Sequence, residues 1–203
     1  MGEKRSRLAT VALVAVSLAA CDRAGGTGPI GPTVPLESTT TAAPAIDITT
    51  KPDVVTVEYA QAVMVELDRI LGEAVRAMVA DDGPNKEFLD KLNAVYDEPS
   101  FENKQSVYGK LAAEGLGGFR KPPGNPITTV ESILRSDPTC VVFAVKRDFA
   151  PFLVAPNPES SDKGFIAWTP KTSSSDPAGF NRTPWSVVFD GDTFEDEDPR
   201  NAC

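Results

Sequence analysis

The chain has 203 residues, with 20 Lys and Arg against 29 Asp and Glu, for a formal net charge of −9. That acidic balance repels nucleic acid and anionic lipid head groups and argues against both as partners. There is no histidine, which excludes Ser-His-Asp and Cys-His catalysis and histidine-based metal sites, while a hydrophobic share of 41% is ordinary for a domain with a packed core.

The first twenty residues read as a secretory signal. Lys4, Arg5 and Arg7 form a positive flank, and Leu8 to Ala20 then runs without a charge. That run is shorter than the roughly 20 apolar residues a bilayer core requires, and a positive start, a short apolar middle and small residues at the end are the pattern of a cleaved segment. It stops at a cysteine. Leu18-Ala19-Ala20-Cys21 resembles the lipobox of bacterial lipoproteins, which are cut before the cysteine and carry a diacylglycerol on its sulfur. The resemblance implies an envelope protein held to a membrane through diacylglyceryl-Cys21, on the extracytoplasmic side. Cleavage would remove three basic residues and one acidic one and take the net charge to −11. Each buried CH₂ of an acyl chain contributes about 0.8 kcal/mol, so several chains hold firmly.

Residues 21–54 combine this cysteine with a stretch rich in Gly, Pro, Thr, Ser and Ala that has too few large apolar residues to form a core. It reads as a tether; as a flexible coil it would reach roughly 30 Å. A globular domain is expected over 55–203.

That domain opens with the strongest helical signal in the chain. Tyr59, Val63, Leu67, Ile70, Ala74 and Met78 recur at steps of three and four and share one face. Thr56 is placed to cap the start, Glu58 lies near the positive end of the dipole, and Asp81-Asp82-Gly83-Pro84 ends the run. A second helix is expected from an Asn85 cap, burying Phe88, Leu89, Leu92, Val95 and Tyr96. A third is expected after a Ser100 cap, with Phe101, Val107, Tyr108, Leu111 and Leu116 as its apolar set. The Gly- and Pro-rich stretch from Gly115 to Pro126 closes the helical half.

The second half is β-type. Segments 127–134, 139–149, 164–170 and 183–189 are rich in β-branched and aromatic residues and are separated by turn formers. Val141, Phe143 and Val145 alternate with Val142, Ala144 and Lys146; Trp185, Val187 and Phe189 share a face. Connections too short for crossover helices predict an antiparallel meander, and the three helices are the cover for its apolar face. The fold class is therefore α+β, three N-terminal helices packed on a four-stranded antiparallel sheet.

This element order, carried by the helix EYAQAVMVELDRILGEAVRAM, the strand CVVFAVKRDF and the Pro-Trp strand TPWSVVF, resembles the nuclear-transport-factor-2-like (cystatin-like) cone fold, a class found in small actinobacterial lipoproteins. The usual cone has a strand between its early helices, which this chain lacks. Cone folds hold either enzymes or non-catalytic pockets, so the resemblance leaves activity open.

If Cys21 carries lipid, Cys140 and Cys203 remain in a compartment that permits disulfides. They are expected to form a staple pinning the C-terminal tail to a strand, worth about 4 kcal/mol in the chain-entropy model; the alternative is two separate thiols. Two cysteines without histidine argue against a zinc site. The acidic run Asp190 to Pro199 departs from a calcium-loop pattern at Phe194 and Glu195. A looser calcium set of Asp190, Asp192, Glu195 and Asp196 competes with a solvated tail. Asn181-Arg182-Thr183 fits a glycosylation pattern that bacteria seldom use.

An apolar pocket beneath the long helix is expected to involve Tyr59, Phe143, Phe165, Trp168 and Trp185, although aromatics at strand spacing are more often plain core. Lys146, Arg147 and Asp148 are charged neighbours at a strand end; Glu66 and Asp68 sit beside Arg69 on the first helix, and Asp68, one residue past Leu67, falls at the border of the buried face. The functional expectation is a non-enzymatic, cofactor-free domain that binds a partner protein or a small apolar ligand. The alternative is a cone-fold hydrolase or isomerase with a carboxylate base such as Asp68. An enzyme needs a water-accessible cavity holding an ionisable group of perturbed pKa, and that distinguishes the two.

Overall fold

The computed structural model describes residues 45–203 apart from 116, 155–162, 173–174 and 192–197. Cys21 and the signal segment therefore lie outside the described residues. Three helices precede four strands: α1 (Val57–Ala80), α2 (Lys86–Val95), α3 (Ser100–Ala113), then β1 (Ile127–Ser136), β2 (Val141–Asp148), β3 (Lys163–Pro170) and β4 (Trp185–Gly191), followed by a short 3-10 turn at Pro199–Asn201. The sheet is an antiparallel meander in the order β1-β2-β3-β4, and the class is α+β. No helix among the described residues is long and apolar enough to cross a membrane.

Helix α1 forms where its periodicity places it. The Thr56 hydroxyl accepts from the Tyr59 N–H at 3.2 Å, and all six residues of the expected apolar face are buried. Asn85 caps α2 in the same way, accepting from Phe88 N–H at 2.7 Å. Helix α3 departs from expectation. Ser100 is its first residue, not its cap, and its hydroxyl donates instead to the Val188 carbonyl at 2.7 Å. Of its expected apolar set, Leu116 lies outside the described residues; among the others Tyr108 is buried, Phe101 and Leu111 are partly covered and Val107 is exposed. This helix packs mainly on α2 and β4, and far less closely than α1 packs on α2 and β1.

Among the described residues the compact unit reaches back to 45, ahead of the expected boundary at 55. Ile48 packs against the core, and the Tyr59 hydroxyl donates to the Thr50 carbonyl at 3.0 Å. Residues 45–54 are thus part of the fold rather than of a tether.

The helices cover the sheet face that carries Val130, Val141, Phe143, Val145, Ile166, Trp168, Trp185 and Val187. The opposite face holds a smaller cluster of Cys140, Val142 and Ala167, with Leu134, Phe189 and Ala202 against it. Phe189 was expected on the same face as Trp185 and Val187, and a register shift overturns this. Trp168 pairs with Val187 but Ala167 pairs with Phe189, so Val188 is the extra residue of a bulge in β4. The bulge reverses the alternation beyond it. Phe189 moves to the tail side, and Asp190, paired with Ile166, turns to the helix side. The tail covers its cluster because Cys140 and Cys203 lie at disulfide distance, with Cα atoms 6.0 Å apart.

Candidate functional site

A cavity of about 290 Å³ opens between α1, the end of α2, α3, the loop before β1 and the helix side of the sheet. Its walls are mostly apolar, with Met64, Leu67 and Leu71 from α1, Phe119, Phe149 and Phe152 from the loops, and Ile166 and Val187 from the sheet. Val107 stands at its edge, 44% exposed. Near 300 Å³ lies at the lower end of ligand pockets; at about 30 Å³ per water-sized group it holds on the order of ten non-hydrogen atoms.

One part of the wall is polar. Asp68 comes from α1, Tyr96 follows α2, Lys104 and Tyr108 come from α3, Thr128 from β1, Arg147 from β2 and Asp190 from β4. Close approach of the β1 lead-in to α1 makes this possible. Gly72 gives the room: a Cβ there would lie 2.1 Å from Asn125 Oδ1 and 3.0 Å from the Asn125 Cα. Four residues back on the helix, Asp68 meets Thr128. The Thr128 N–H donates to Asp68 Oδ2 at 2.7 Å and its hydroxyl to Oδ1 at 3.0 Å.

Asp190 gathers three donors. Arg147 Nη2 donates to Oδ1, while Lys104 Nζ at 3.0 Å and the Tyr96 hydroxyl at 3.1 Å reach Oδ2. Lys104 also stands 5.6 Å above the Tyr96 ring. Tyr108 is held through its ring, edge-on to Phe88 and stacked on Phe119. Its hydroxyl makes no hydrogen bond to any described residue.

The two carboxyls therefore differ. Burial drives Asp68 up to about 7, and the nearby Asp190 charge adds to the rise; the Thr128 bonds and Arg147 oppose it without cancelling it. Burial also pushes Asp190 up, but the charges of Arg147 and Lys104 outweigh it and hold this carboxyl at about 2. Burial beside Asp190 raises both Tyr96 and Tyr108 well above the ordinary phenol value. At neutral pH the wall thus combines one permanent anion, two cations, two phenols and one carboxyl that exchanges its proton.

The aromatic set expected to line a pocket lies elsewhere. Trp168 stacks on Trp185 with ring centroids 5.9 Å apart and meets Phe143 edge-on at 4.5 Å. Phe143, Trp168 and Trp185 are fully buried, and mutual packing of large rings leaves no space between them. The Tyr59 hydroxyl accepts from Trp185 Nε1 at 3.2 Å, which ties it to the same core. Phe165 is half-buried on β3, one residue from the cavity-lining Ile166 and hence directed to the other face. None of the five lines the main cavity. Trp185 borders a smaller polar hollow of about 180 Å³ with Lys51, Asp53 and Asp137.

Other candidate residues resolve as structural groups. Glu66 pairs with Arg69 at 2.9 Å and Arg182 at 3.0 Å, so Arg69 serves Glu66 and not Asp68. The Asn181 amide donates to the carbonyls of Ala94 and Trp185 and is only 2% exposed, which closes it to glycosylation in the folded domain. Asp190 of the loose calcium set is engaged by cations; Asp192, Glu195 and Asp196 lie outside the described residues. Among the described residues no group of three Asp, Glu, His or Cys side chains gathers to hold a metal.

Position 68, next to Leu67, lies at the border of the buried face by periodicity alone, but its neighbours in space are not evident from the sequence. The alternation of Val141, Phe143 and Val145 extends in phase to Arg147, so that residue was within reach. Asp190 was not, because the bulge at Val188 reverses its side. Comparison with protein-family models, with curated proteins and with solved structures found no match to this chain.

Proposed function

We propose that this chain is a membrane-anchored cell-envelope lipoprotein whose folded domain binds a small, largely apolar ligand. The observation that carries the ligand reading is the roughly ten-atom cavity with apolar walls and one polar patch. A small molecule fits that geometry better than a partner protein does, because the polar groups converge inward. The anchor rests on Leu18-Ala19-Ala20-Cys21 after a charged flank and a short apolar run. The test is native mass spectrometry of the full-length protein taken from its own envelope. A bound species of about that size supports the reading, and an empty protein under conditions that retain weak ligands contradicts it. For the anchor, Cys21→Ser should release the protein from the membrane fraction; unchanged membrane association contradicts lipidation.

One observation favours a second reading, a cone-fold hydrolase or isomerase. Asp68, with its pKa near 7 inside an apolar cavity, has the environment of a general base. The two readings separate at Asp68→Asn. A binding protein keeps its ligand intact whether or not residue 68 ionises; an enzyme alters the molecule, and that variant stops the alteration.

A further inference from the structure

Resting on the ligand-binding reading, we propose that the ligand of this cavity is a small apolar carboxylate, its acid group set against Tyr108 and Lys104 beside Asp68. The argument is one of donors and acceptors. Both oxygens of Asp190 already receive protein donors, from Arg147 on one side and from Lys104 and Tyr96 on the other. Both oxygens of Asp68 receive Thr128. Every carboxylate oxygen of the wall thus already accepts from the protein, while donor capacity remains on Tyr108 and Lys104. Tyr108 lines the cavity, is 8% exposed, and its hydroxyl has no partner among the described residues. Lys104 carries three N–H bonds and places one of them on Asp190. A ligand that satisfies this wall must bring an acceptor, and an anionic acceptor makes the stronger bond with a phenol and an ammonium.

Asp68 then couples binding to protons. The groups facing it are Thr128 from β1, Arg147 from β2, Asp190 from β4, Lys104 and Tyr108 from α3 and Tyr96 after α2; its own helix contributes Met64, Leu67 and Leu71. Neutral Asp68 tolerates a ligand carboxylate at the same wall, and hydrogen-bonds it when its proton turns inward. Ionised Asp68 repels it. Carboxylate affinity therefore falls as pH rises through about 7.

Four probes of matched skeleton test this by titration calorimetry on the full-length protein: propylbenzene, 3-phenylpropanol, 3-phenylpropylamine and 3-phenylpropanoate. Near pH 6 the carboxylate should bind about tenfold tighter than the alcohol or the amine, and that advantage should shrink roughly tenfold near pH 8.5. Asp68→Asn should keep the preference at both pH values. Tyr108→Phe retains the ring packing and should weaken the carboxylate roughly three- to tenfold while leaving propylbenzene unchanged. A carboxylate that binds no tighter than the alcohol or amine overturns the proposal. Binding of propylbenzene without the carboxylate overturns it too and leaves the ligand-binding reading standing. If none of the four binds, both fall.

Discussion

Thr128 donates twice to Asp68, from its backbone N–H at 2.7 Å and from its hydroxyl at 3.0 Å. The pair joins the first strand to the long helix and holds a carboxyl, 8% exposed, at the wall of an apolar cavity. Two such bonds favour the ionised form, yet burial outweighs them, and the carboxyl keeps its proton to about pH 7.

A pH dependence of stability follows from this pair. In the unfolded chain Asp68 titrates near 3.9, so between about pH 4 and 7 the folded state binds a proton that the unfolded state has lost. Stability contributed by Asp68 is complete below the unfolded value and is lost as pH rises to about 7, by on the order of 3–4 kcal/mol. Urea unfolding of the wild type should weaken across that window, and Asp68→Asn should remove most of the slope. A wild-type curve that strengthens from pH 5 to 7 with no change in the variant would refute the buried-carboxyl account.

Asp190 behaves in the opposite sense. Its folded pKa, about 2, lies below the unfolded value, so its stabilisation is present above about pH 4 and lost as pH falls through 2. Arg147→Met leaves that buried charge with Lys104 and Tyr96 alone and should cost about 3 kcal/mol in urea unfolding at pH 7. The double variant Arg147→Met/Asp190→Leu should recover a substantial part. No recovery would mean that Arg147 acts mainly through other contacts.

Gly72 tests how the site is assembled. Ala at this position would drive its Cβ into Asn125, a backbone atom included, and the β1 lead-in would have to shift. Gly72→Ala should cost about 1–3 kcal/mol and lower the Asp68 pKa by letting in water, read from carboxyl carbon shifts. An unchanged pKa would separate the close approach from the buried carboxyl.

The staple has its own readout. Closing a loop of sequence separation 63 is worth about 4 kcal/mol in the chain-entropy model. Cys140→Ser/Cys203→Ser should lower stability by up to that amount and expose Val142 and Ala167 to amide exchange, because the tail would no longer cover their face. Both cysteines alkylating in the untreated protein would contradict the cross-link.

What was legible in the sequence is what local chemistry determines. The step of three and four along α1, the Thr56 and Asn85 caps and the β-branched runs each act within a few residues, and each element appears where those signals place it. The meander follows from short connections. The cavity was not legible, because it arises from what fails to pack. Helix α3 has a weak apolar face, meets the sheet mainly at β4 and leaves a space that no periodicity encodes. Three of the aromatic residues that suggested a pocket fill the core because their rings pack on one another, Trp168 on Trp185 and Phe143 on Trp168. Asp190 entered the site through one extra residue in a strand, a change of register that alternation alone cannot foresee.

The central claim is that the space between α1, α3 and the sheet accepts a small apolar molecule, and methyl NMR during a propylbenzene titration tests it most directly. Saturable shifts concentrated on cavity-lining methyls such as those of Met64, Leu67, Leu71, Leu111, Ile166 and Val187, with Val142 on the far face unmoved, are the expected result. A spectrum that does not change, or shifts centred on the Trp168 and Trp185 core, would contradict it.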